Sequence, residues 1–464
     1  MDQVDDVLAA AETGLDASVS RLLDLVGIPS ISTDPAYKAE CHRTGQWLVD
    51  ELSSLGFDAS LRDTAGHPMV VAHSRPGRGG GGRHVLFYGH YDVQPPEPLD
   101  KWTSPPFEPI RRKGEDGKER LYGRGVADDK GQFMTILEAA RAWIETAGGL
   151  PLSATFLIEG EEESGSPNLA PFLEANKAEL ALDAAFVCDT NMWDAKTPAI
   201  TTRLRGLVHD EVTITGPRID LHSGAYGGPV MNPIRALSDV LAALHDKNGK
   251  VTIPGFYDGV EPVPREVKRQ WESLDFSERK FLRKVGLSEP AGEKGKSVLE
   301  QIWARPTAEI NGIFGGYTGA GTKTVLPSRA SAKLSFRLVG KQDPVKILRA
   351  FRKFVKERVP KDCKIEFSSR AGGNPAFEVD QSNPFIAKSA EALKAEFGRP
   401  AVLMGSGGTI PIVRHFKTIL GMDSVLVGFG LDDDAIHSPN EKYDLDSFRH
   451  GIRSWIRIMA AVAG

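Results

Sequence analysis

Short apolar runs recur along this chain and alternate with segments whose apolar residues have helical spacing. The runs that predict buried strands are Met69–Ala72, His84–Tyr88, Ala154–Ile158, Ala184–Cys188 and Ser424–Val427. The segments that predict helices are residues 2–26, residues 40–55 and a stretch that begins at Gln132. Because strands alternate with helices, the pattern predicts an α/β fold with a mixed, mainly parallel sheet flanked by helices.

The middle of the chain has a different pattern. Its predicted elements are strands at 210–215, 332–339 and 364–367 and helices at 232–245 and 345–359. Such a set is typical of a small α+β unit, and residues 255–305 predict only a helical excursion within it. We therefore expect a sheet domain in two parts, separated by an inserted domain, with the bounds 1–205, 206–383 and 384–464.

Composition narrows the class of protein. The 464 residues are 41% hydrophobic and 26% charged, as in ordinary globular proteins, and the net charge of -5 argues against nucleic acid as a partner. No apolar run approaches the ~20 residues of a membrane span, and the N-terminus lacks the pattern of a signal peptide. The three widely spaced cysteines predict reduced thiols, so we expect a cytoplasmic protein without a membrane partner.

Residues of metal-binding types follow several of these apolar runs. They are His90, Asp128, Glu163, Asp189 and His437. In open α/β sheets, ligands bind beyond the carboxyl ends of the strands, so these side chains are expected to meet there. Two imidazoles and three carboxylates, without a thiolate, are typical of a catalytic zinc, manganese or cobalt site. Five ligands are too many for one open tetrahedral ion, but they suit two ions that share one bridging carboxylate.

Further carboxylates lie beside these candidates. Asp92 and His90 share one face of an extended strand, so Asp92 could accept the proton of the ring nitrogen that does not face the metal; the alternative is a surface hydrogen bond. A metal-bound water also needs a general base. Spacing alone does not rank Glu161, Glu162 and Glu163 for these roles, and a solvated acidic loop is the alternative for the triplet.

Other candidates carry weaker signals. Arg337 could bind a free carboxylate with two parallel hydrogen bonds, or form an ordinary surface ion pair. His222 lies in a turn-rich loop, where a histidine is usually only exposed. The segment Gly405–Pro411 predicts the start of a helix whose N–H groups could bind an anion, with a tight loop as the alternative. The run Asp432–Asp434 predicts a solvated loop.

Five separated motifs occur in a characteristic order. They are Gly89–Asp92, Gly123–Gly131, Glu162–Ser166, Asp189 and Ala435–Lys442. Together they resemble the co-catalytic metallopeptidase family that includes cytosolic nonspecific dipeptidase, carnosinase, glutamate carboxypeptidases, acetylornithine deacetylase and succinyl-diaminopimelate desuccinylase. The dipeptidase branch is the most similar, since its lid segments resemble Asp220–Gly228, Gly319–Pro327 and Phe336–Val339.

The resemblance implies a zinc-peptidase-like catalytic domain with an inserted ferredoxin-like lid and dimerisation domain. It also implies two divalent metal ions, zinc or manganese, with cobalt possible. The implied ligands are His90 and Asp189 for one ion, Glu163 and His437 for the other, and Asp128 as the bridge. A cis peptide bond would follow Asp128, Asp92 would orient His90, and Glu162 would be the general base.

The resemblance further implies a homodimer in which His222 reaches the partner subunit's site and polarises the scissile carbonyl. Thr324, Arg337 and Thr409 would contact the substrate. One departure is that Gly405 and Ser406 replace the Arg-Glu pair often found in dipeptidases, which removes two charges.

We therefore expect a hydrolase that cleaves dipeptides or short peptides through a metal-bridging hydroxide. An N-acyl amino acid deacylase is the alternative, and a non-catalytic peptide-binding protein is a third hypothesis.

Overall fold

The computed structural model describes residues 3–74, 82–368, 373–380, 382–408 and 410–464. The chain divides into two compact units, which we call the sheet unit and the inserted unit. The sheet unit comprises Met1–Thr202, Val379–Met404 and Ile410–Gly464. The inserted unit comprises Arg203–Glu378 and Gly405–Thr409.

A mixed sheet with a parallel centre forms the framework of the sheet unit. The strands that begin in this unit are β1 (Asp58–Arg62), β2 (Met69–His73), β3 (His84–His90), β4 (Ile110–Lys113), β5 (Glu119–Tyr122), β6 (Ser153–Glu159), β7 (Ala184–Val187), β8 (Ala199–Leu204), β16 (Val402–Ser406), β17 (Ser424–Leu426) and β18 (Lys442–Asp444). The main sheet includes the order β1-β2-β6-β3-β7-β17-β8, with β16 also paired to β8, and the successive neighbours β6, β3, β7 and β17 are parallel. The outer pairs are antiparallel. The predicted fold class is confirmed.

Helices cover this sheet. They are α1 (Gln3–Thr13), α2 (Leu15–Val26), α3 (Lys38–Ser54), α4 (Lys130–Ala147), α5 (Leu169–Ala175), α6 (Lys177–Leu180), α13 (Pro384–Phe397), α14 (Pro411–His415) and α15 (Leu445–Ala463). Short 3₁₀ turns lie at Pro35–Tyr37, Leu99–Lys101 and Glu162–Ser164, and a π-helical turn lies at Phe416–Leu420. The single helix predicted over residues 2–26 is two helices separated at Gly14, because glycine is a poor helix former.

The core of the sheet unit is centred on Trp455 of α15. This side chain is fully buried, and its ring meets those of Phe87, Phe186 and Phe429 at centroid distances of 5.9, 5.9 and 6.3 Å. The C-terminal helix is thereby fixed against the parallel strands. Among the described residues, the structure contains no helix with the length and apolar character that crossing a membrane requires.

The inserted unit has its own antiparallel sheet. The strands of the inserted unit are β9 (Gly206–Thr215), β10 (Leu221–His222), β11 (Thr307–Gly315), β12 (Val325–Leu326), β13 (Arg329–Leu338), β14 (Lys364–Phe367) and β15 (Phe377–Glu378). Of these, β10 pairs with β12, and β15 pairs with the end of β8. The unit's helices are α7 (Ser223–Tyr226), α8 (Pro233–Ala242), α9 (Arg265–Glu272), α10 (Glu278–Lys284), α11 (Val298–Trp303) and α12 (Pro344–Lys356). The main sheet has the order β11-β13-β9-β14, and α8 and α12 supply buried residues to its core. Strand β9 alternates buried and more exposed positions, as expected when one face of a sheet is covered.

Candidate active site

Strand β3 ends at His90, which is buried beside two partly exposed carboxylates. Its Nε2 atom lies 3.1 Å from Oδ1 of Asp128 and 4.0 Å from Oδ2 of Asp189. Asp128 precedes α4, and Asp189 follows β7, the parallel neighbour of β3. These three residues could hold one metal ion, because each offers a ligand atom within 4.8 Å of the other two.

A second triad shares Asp128 with the first. The Nε2 atom of His437 lies 3.0 Å from Oδ2 of Asp128 and 3.2 Å from Oε1 of Glu163. Asp128 therefore turns one carboxylate oxygen toward each imidazole, which is the arrangement that a bridging ligand requires. The structure thus brings together all five residues that the sequence analysis proposed as ligands.

The two triads hold more negative charge than their surroundings offset. Burial, followed by the charge of Asp128, raises the pKa of Asp189 to about 7. Burial also acts to raise the pKa of Asp128, but hydrogen bonds from His437 and His90 outweigh it and hold that pKa below its usual range. Hydrogen bonds to Asp128 and Glu163 raise the pKa of His437 to about 10. Divalent cations would supply the missing positive charge, and the donor set of carboxylates and imidazoles fits zinc or manganese.

Asp92 contacts both sides of this site. Its Oδ1 lies 3.4 Å from Nδ1 of His90, and its backbone oxygen lies 3.1 Å from the same nitrogen. Its carboxylate also accepts the backbone N–H groups of Glu162 and Glu163, each at 3.1 Å. The sequence analysis missed this second role, because these partners lie about 70 residues further along the chain.

The three adjacent glutamates occupy different surroundings. Glu161 is buried and accepts hydrogen bonds from the backbone of His67 and the side chain of Asn168. Glu163 faces His437. Among the described residues, no hydrogen bond or ion pair engages the carboxylate of Glu162. Burial, with the negative charges of its neighbours, raises the pKa of Glu162 to about 8.

Two further residues fix the ligands and were not predicted. Gln94 donates its side-chain N–H to Oε2 of Glu163 at 2.8 Å, which leaves Oε1 directed at His437. Asp129 accepts the backbone N–H of His90 at 3.1 Å. Gln94 lies two residues after one quoted motif and Asp129 lies within another, but nothing in their spacing indicates these contacts. The peptide bond between Asp128 and Asp129 is cis, as the resemblance implied.

The acidic run near the second histidine is exposed as predicted at Asp432 and Asp433, but not at Asp434. Asp434 is 1% exposed, and its carboxylate lies 2.7 Å from Nζ of Lys442. The prediction was wrong at this residue because a buried lysine eight positions later in the chain offsets the charge.

The inserted unit carries other predicted residues. His222 is exposed and lies on strand β10, which pairs with β12. Thr324 directly precedes β12, and its backbone oxygen accepts the backbone N–H of Ser223 at 3.0 Å. Arg337 lines a cavity of about 850 Å³ together with Arg205. Thr409 lies outside the described residues.

The glycine-rich segment leads into a helix only at its last residue, Pro411. Gly405 and Ser406 end strand β16, and the next helix begins at Pro411. A side chain at position 405 would meet Trp303, since an added Cβ would lie 2.7 Å from the Cβ of that residue. This contact gives a steric reason for the absence of a large residue there.

The comparisons with known proteins agree with this geometry. A family model described as peptidase family M20/M25/M40 matches residues 86–461. The chain belongs to this family. Since the family resemblance was drawn from the motifs alone, that prediction is confirmed, and the protein is a metallopeptidase by descent.

Several members of the M20/M25/M40 family resemble this chain along nearly its whole length. A Cys-Gly metallodipeptidase of Candida albicans is 33% identical over 455 residues, which cover 94% of this chain and 92% of the relative. The human Beta-Ala-His dipeptidase is 30% identical over 460 residues, with 94% and 88% covered. Among solved structures, an M20 family metallo-carboxypeptidase of Sulfolobus solfataricus has a TM-score of 0.79 at 30% identity, with 96% and 99% covered. The dipeptidase Dug1p of Saccharomyces cerevisiae has a TM-score of 0.77 at 27% identity, with 100% and 99% covered.

Proposed function

We propose that this protein hydrolyses dipeptides or short peptides with the help of two divalent metal ions. The observation that carries the proposal is the pair of ligand triads sharing Asp128, with the unengaged carboxylate of Glu162 nearby in sequence. The printed names of its relatives, a Cys-Gly metallodipeptidase and a Beta-Ala-His dipeptidase, support the same reaction class.

In this proposal the five ligand residues hold zinc or manganese, with cobalt as a further candidate. Bound there, the ions would lower the pKa of the attacking water and polarise the scissile carbonyl. His90 and Asp189 serve one position, and Glu163 and His437 the other. Asp92 fixes the position of the His90 ring relative to the turn Glu162–Ser164, which we call the glutamate turn, because it contacts both.

Glu162 is the proposed general base. Its carboxylate would take a proton from the attacking water and pass it to the leaving nitrogen. A base works best when its pKa is near the working pH; burial raises the pKa of Glu162 to about 8 without metal ions, and bound cations would lower it from there. The contacts of Glu161 and Glu163 support this choice, since Glu161 is held by structural hydrogen bonds and Glu163 by His437.

Residues of the inserted unit would hold the substrate. The guanidinium of Arg337 suits the C-terminal carboxylate of a peptide, and no carboxylate among the described residues lies within ion-pair distance of it. Thr324 and Thr409 are proposed to contact the substrate beside it. We propose that the inserted unit, predicted at 206–383, acts as a lid and as the dimerisation domain.

We also propose a homodimer in which His222 acts in the partner subunit's site. An exposed edge strand supports this: in β11, Ile313 is 62% and Phe314 48% exposed, and apolar side chains on an unpaired edge favour an interface. The free thiols of Cys41, Cys188 and Cys363 agree with the proposed cytoplasmic location.

A deacylase acting on N-acyl amino acids is the second candidate. Gly405 and Ser406 offer no charge to a free amino terminus, so a neutral acyl group would not be penalised at that position. This candidate has less support, because the similar curated relatives are dipeptidases.

A substrate panel tests the proposal. The full chain, loaded in turn with zinc, manganese and cobalt, would be assayed with dipeptides and with the matching N-acetyl and N-succinyl amino acids. We expect dipeptides to give the higher kcat/KM. The variant Glu162→Gln should retain its metal ions while kcat falls by about 10²–10⁴. Faster cleavage of the acyl compounds would favour the second candidate, and undiminished turnover of Glu162→Gln would remove Glu162 from the mechanism.

Mixed dimers test the role of His222. His222→Ala and Asp128→Asn should each be nearly inactive, but hybrids would contain one site with both residues intact. Subunit exchange would be verified with differently tagged subunits. When the two variants are mixed equally, half of the dimers are hybrids with one intact site each, so the total activity should reach at most about a quarter of that of wild type. No recovery in verified hybrids would contradict action in the partner's site.

A further inference from the structure

We propose that Glu441 is a positioning residue that fastens together the two chain segments carrying Asp128 and His437. The proposal rests on the metal site proposed above. Glu441 is completely buried, and its carboxylate accepts four hydrogen bonds. They come from Nη1 of Arg124 at 2.7 Å and from the backbone N–H groups of Gly125 at 2.9 Å, Ala127 at 2.9 Å and Asp128 at 3.1 Å.

The four donors divide evenly between the two oxygens. Oε2 accepts from Arg124 and Gly125, and Oε1 accepts from Ala127 and Asp128. All four belong to the segment that ends at Asp128, whereas Glu441 lies four residues after His437. The carboxylate of Glu441 therefore fixes the distance between Asp128, the proposed bridging ligand, and His437, which lies about 300 residues later in the chain.

The segment around His437 needs such an anchor. Ala435, His437 and Asn440 have φ values of 56°, 58° and 63°, a left-handed conformation that residues other than glycine adopt at a cost in free energy. Residues held in that region persist only where the surroundings impose it. Beyond Glu441, strand β18 pairs with β5, so Glu441 lies at the boundary between regular pairing and the strained loop.

The chemistry of the contact requires a carboxylate. An ionised carboxylate is an acceptor only, and each of its oxygens has two donors here. A glutamine of the same size would place an NH₂ group against two N–H donors, so two hydrogen bonds would be replaced by a repulsive contact. We expect the loop to shift and the contact between His437 and Asp128, now 3.0 Å, to lengthen.

Metal binding by the full chain tests this inference. Metal-free wild type and Glu441→Gln would be titrated with Co²⁺, with affinity, stoichiometry and the visible absorption spectrum recorded. Loss of a residue that orients ligands typically weakens metal affinity by 10–100-fold, and we expect that loss for at least one ion, with an altered spectrum. With saturating metal, the factor by which kcat falls in Glu441→Gln should exceed the factor by which its KM rises.

A matched control separates positioning from general stability. Glu138→Gln also removes a buried carboxylate that binds an arginine, Arg21, and it lies outside the ligand segments. It should lower the unfolding temperature without changing Co²⁺ affinity. Glu441→Asp, which keeps the charge but is too short to reach all four donors, should show the same loss to a smaller degree and serves if Glu441→Gln does not fold.

Two outcomes would overturn the inference in different ways. Wild-type Co²⁺ affinity and spectrum in both Glu441 variants would refute the positioning role while leaving the proposed function intact. Failure of the unmodified protein to bind Co²⁺ would refute the metal site, and with it both proposals.

Discussion

A buried carboxylate joins the last two long helices of the sheet unit, and its removal has a calculable cost. Glu396 of α13 is 2% exposed at its side chain. Its Oε1 lies 2.6 Å from Nε of Arg453 and 3.0 Å from Nδ1 of His450, and its Oε2 lies 3.1 Å from Nε of Arg457. All three partners belong to α15, so the substitution Glu396→Gln would weaken the contact between the two helices.

The pKa of Glu396 sets the magnitude. Burial acts to raise this pKa, but hydrogen bonds from His450 and Arg453 and the arginine charges outweigh it and lower it from 4.5 to about 2. At about 1.4 kcal/mol per pKa unit, the shift corresponds to about 3 kcal/mol of stability at neutral pH. Since the partners remain partly open to water, screening reduces this to about 2 kcal/mol.

The same shift fixes the pH dependence. A lowered pKa in the folded state means that the stabilisation is fully present above pH 4.5 and is lost as the pH falls toward 2. The difference between wild type and Glu396→Gln should therefore shrink as the pH falls below 4.5.

Urea unfolding at pH 7, 5 and 3.5, followed by circular dichroism, measures this difference. The control is Glu391→Gln on the same helix, whose carboxylate is largely exposed and which should change stability by less than about 0.5 kcal/mol. Equal effects of the two substitutions, or a difference that does not change with pH, would refute the reasoning.

Two further predictions concern the site. Exhaustive chelation should abolish hydrolysis and lower the unfolding temperature, and adding zinc or manganese should restore both, because an ion present at 100 times its Kd stabilises the folded state by about 2.7 kcal/mol; identical melting curves with and without chelator would contradict this. In Gly160→Ala the new Cβ would lie 2.3 Å from the hydroxyl oxygen of Tyr91, so we expect a loss of about 1–3 kcal/mol in urea unfolding and reduced activity. Gly14→Ala, whose new Cβ would lie at least 3.4 Å from its neighbours, is the control, and equal stability of the two variants would count against the packing argument.

The convergence of His90, Glu163 and Asp189 could be predicted because it follows from strand geometry, since β3 is parallel to both β6 and β7. His90 ends β3 and Asp189 follows β7, and the carboxyl ends of parallel neighbours meet at one edge. Residue type and position after an apolar run were sufficient to select them. The buried strands were predicted for the same reason, since central parallel strands are continuous apolar runs.

Contacts between distant segments could not be predicted in this way. Nothing near Asp434 in the sequence indicates that Lys442 would fold back onto it, and nothing near Asp92 indicates that the glutamate turn would donate to it. Strand β11 was missed because several of its apolar residues are exposed, so it lacks the alternation of a half-buried strand. These features depend on which surfaces meet, and a local pattern of apolar and polar positions does not record that.

The glutamate triplet shows how the fold resolves an ambiguity that spacing leaves open. Glu162 begins a 3₁₀ turn, in which successive side chains point about 120° apart because there are three residues per turn. Adjacent carboxylates on such a turn cannot share one neighbour. Glu161, the residue before the turn, faces the backbone of His67, and Glu163 faces His437. Among the described residues no partner engages the carboxylate of Glu162, so the turn keeps a proposed base, Glu162, apart from a proposed ligand, Glu163, on neighbouring residues.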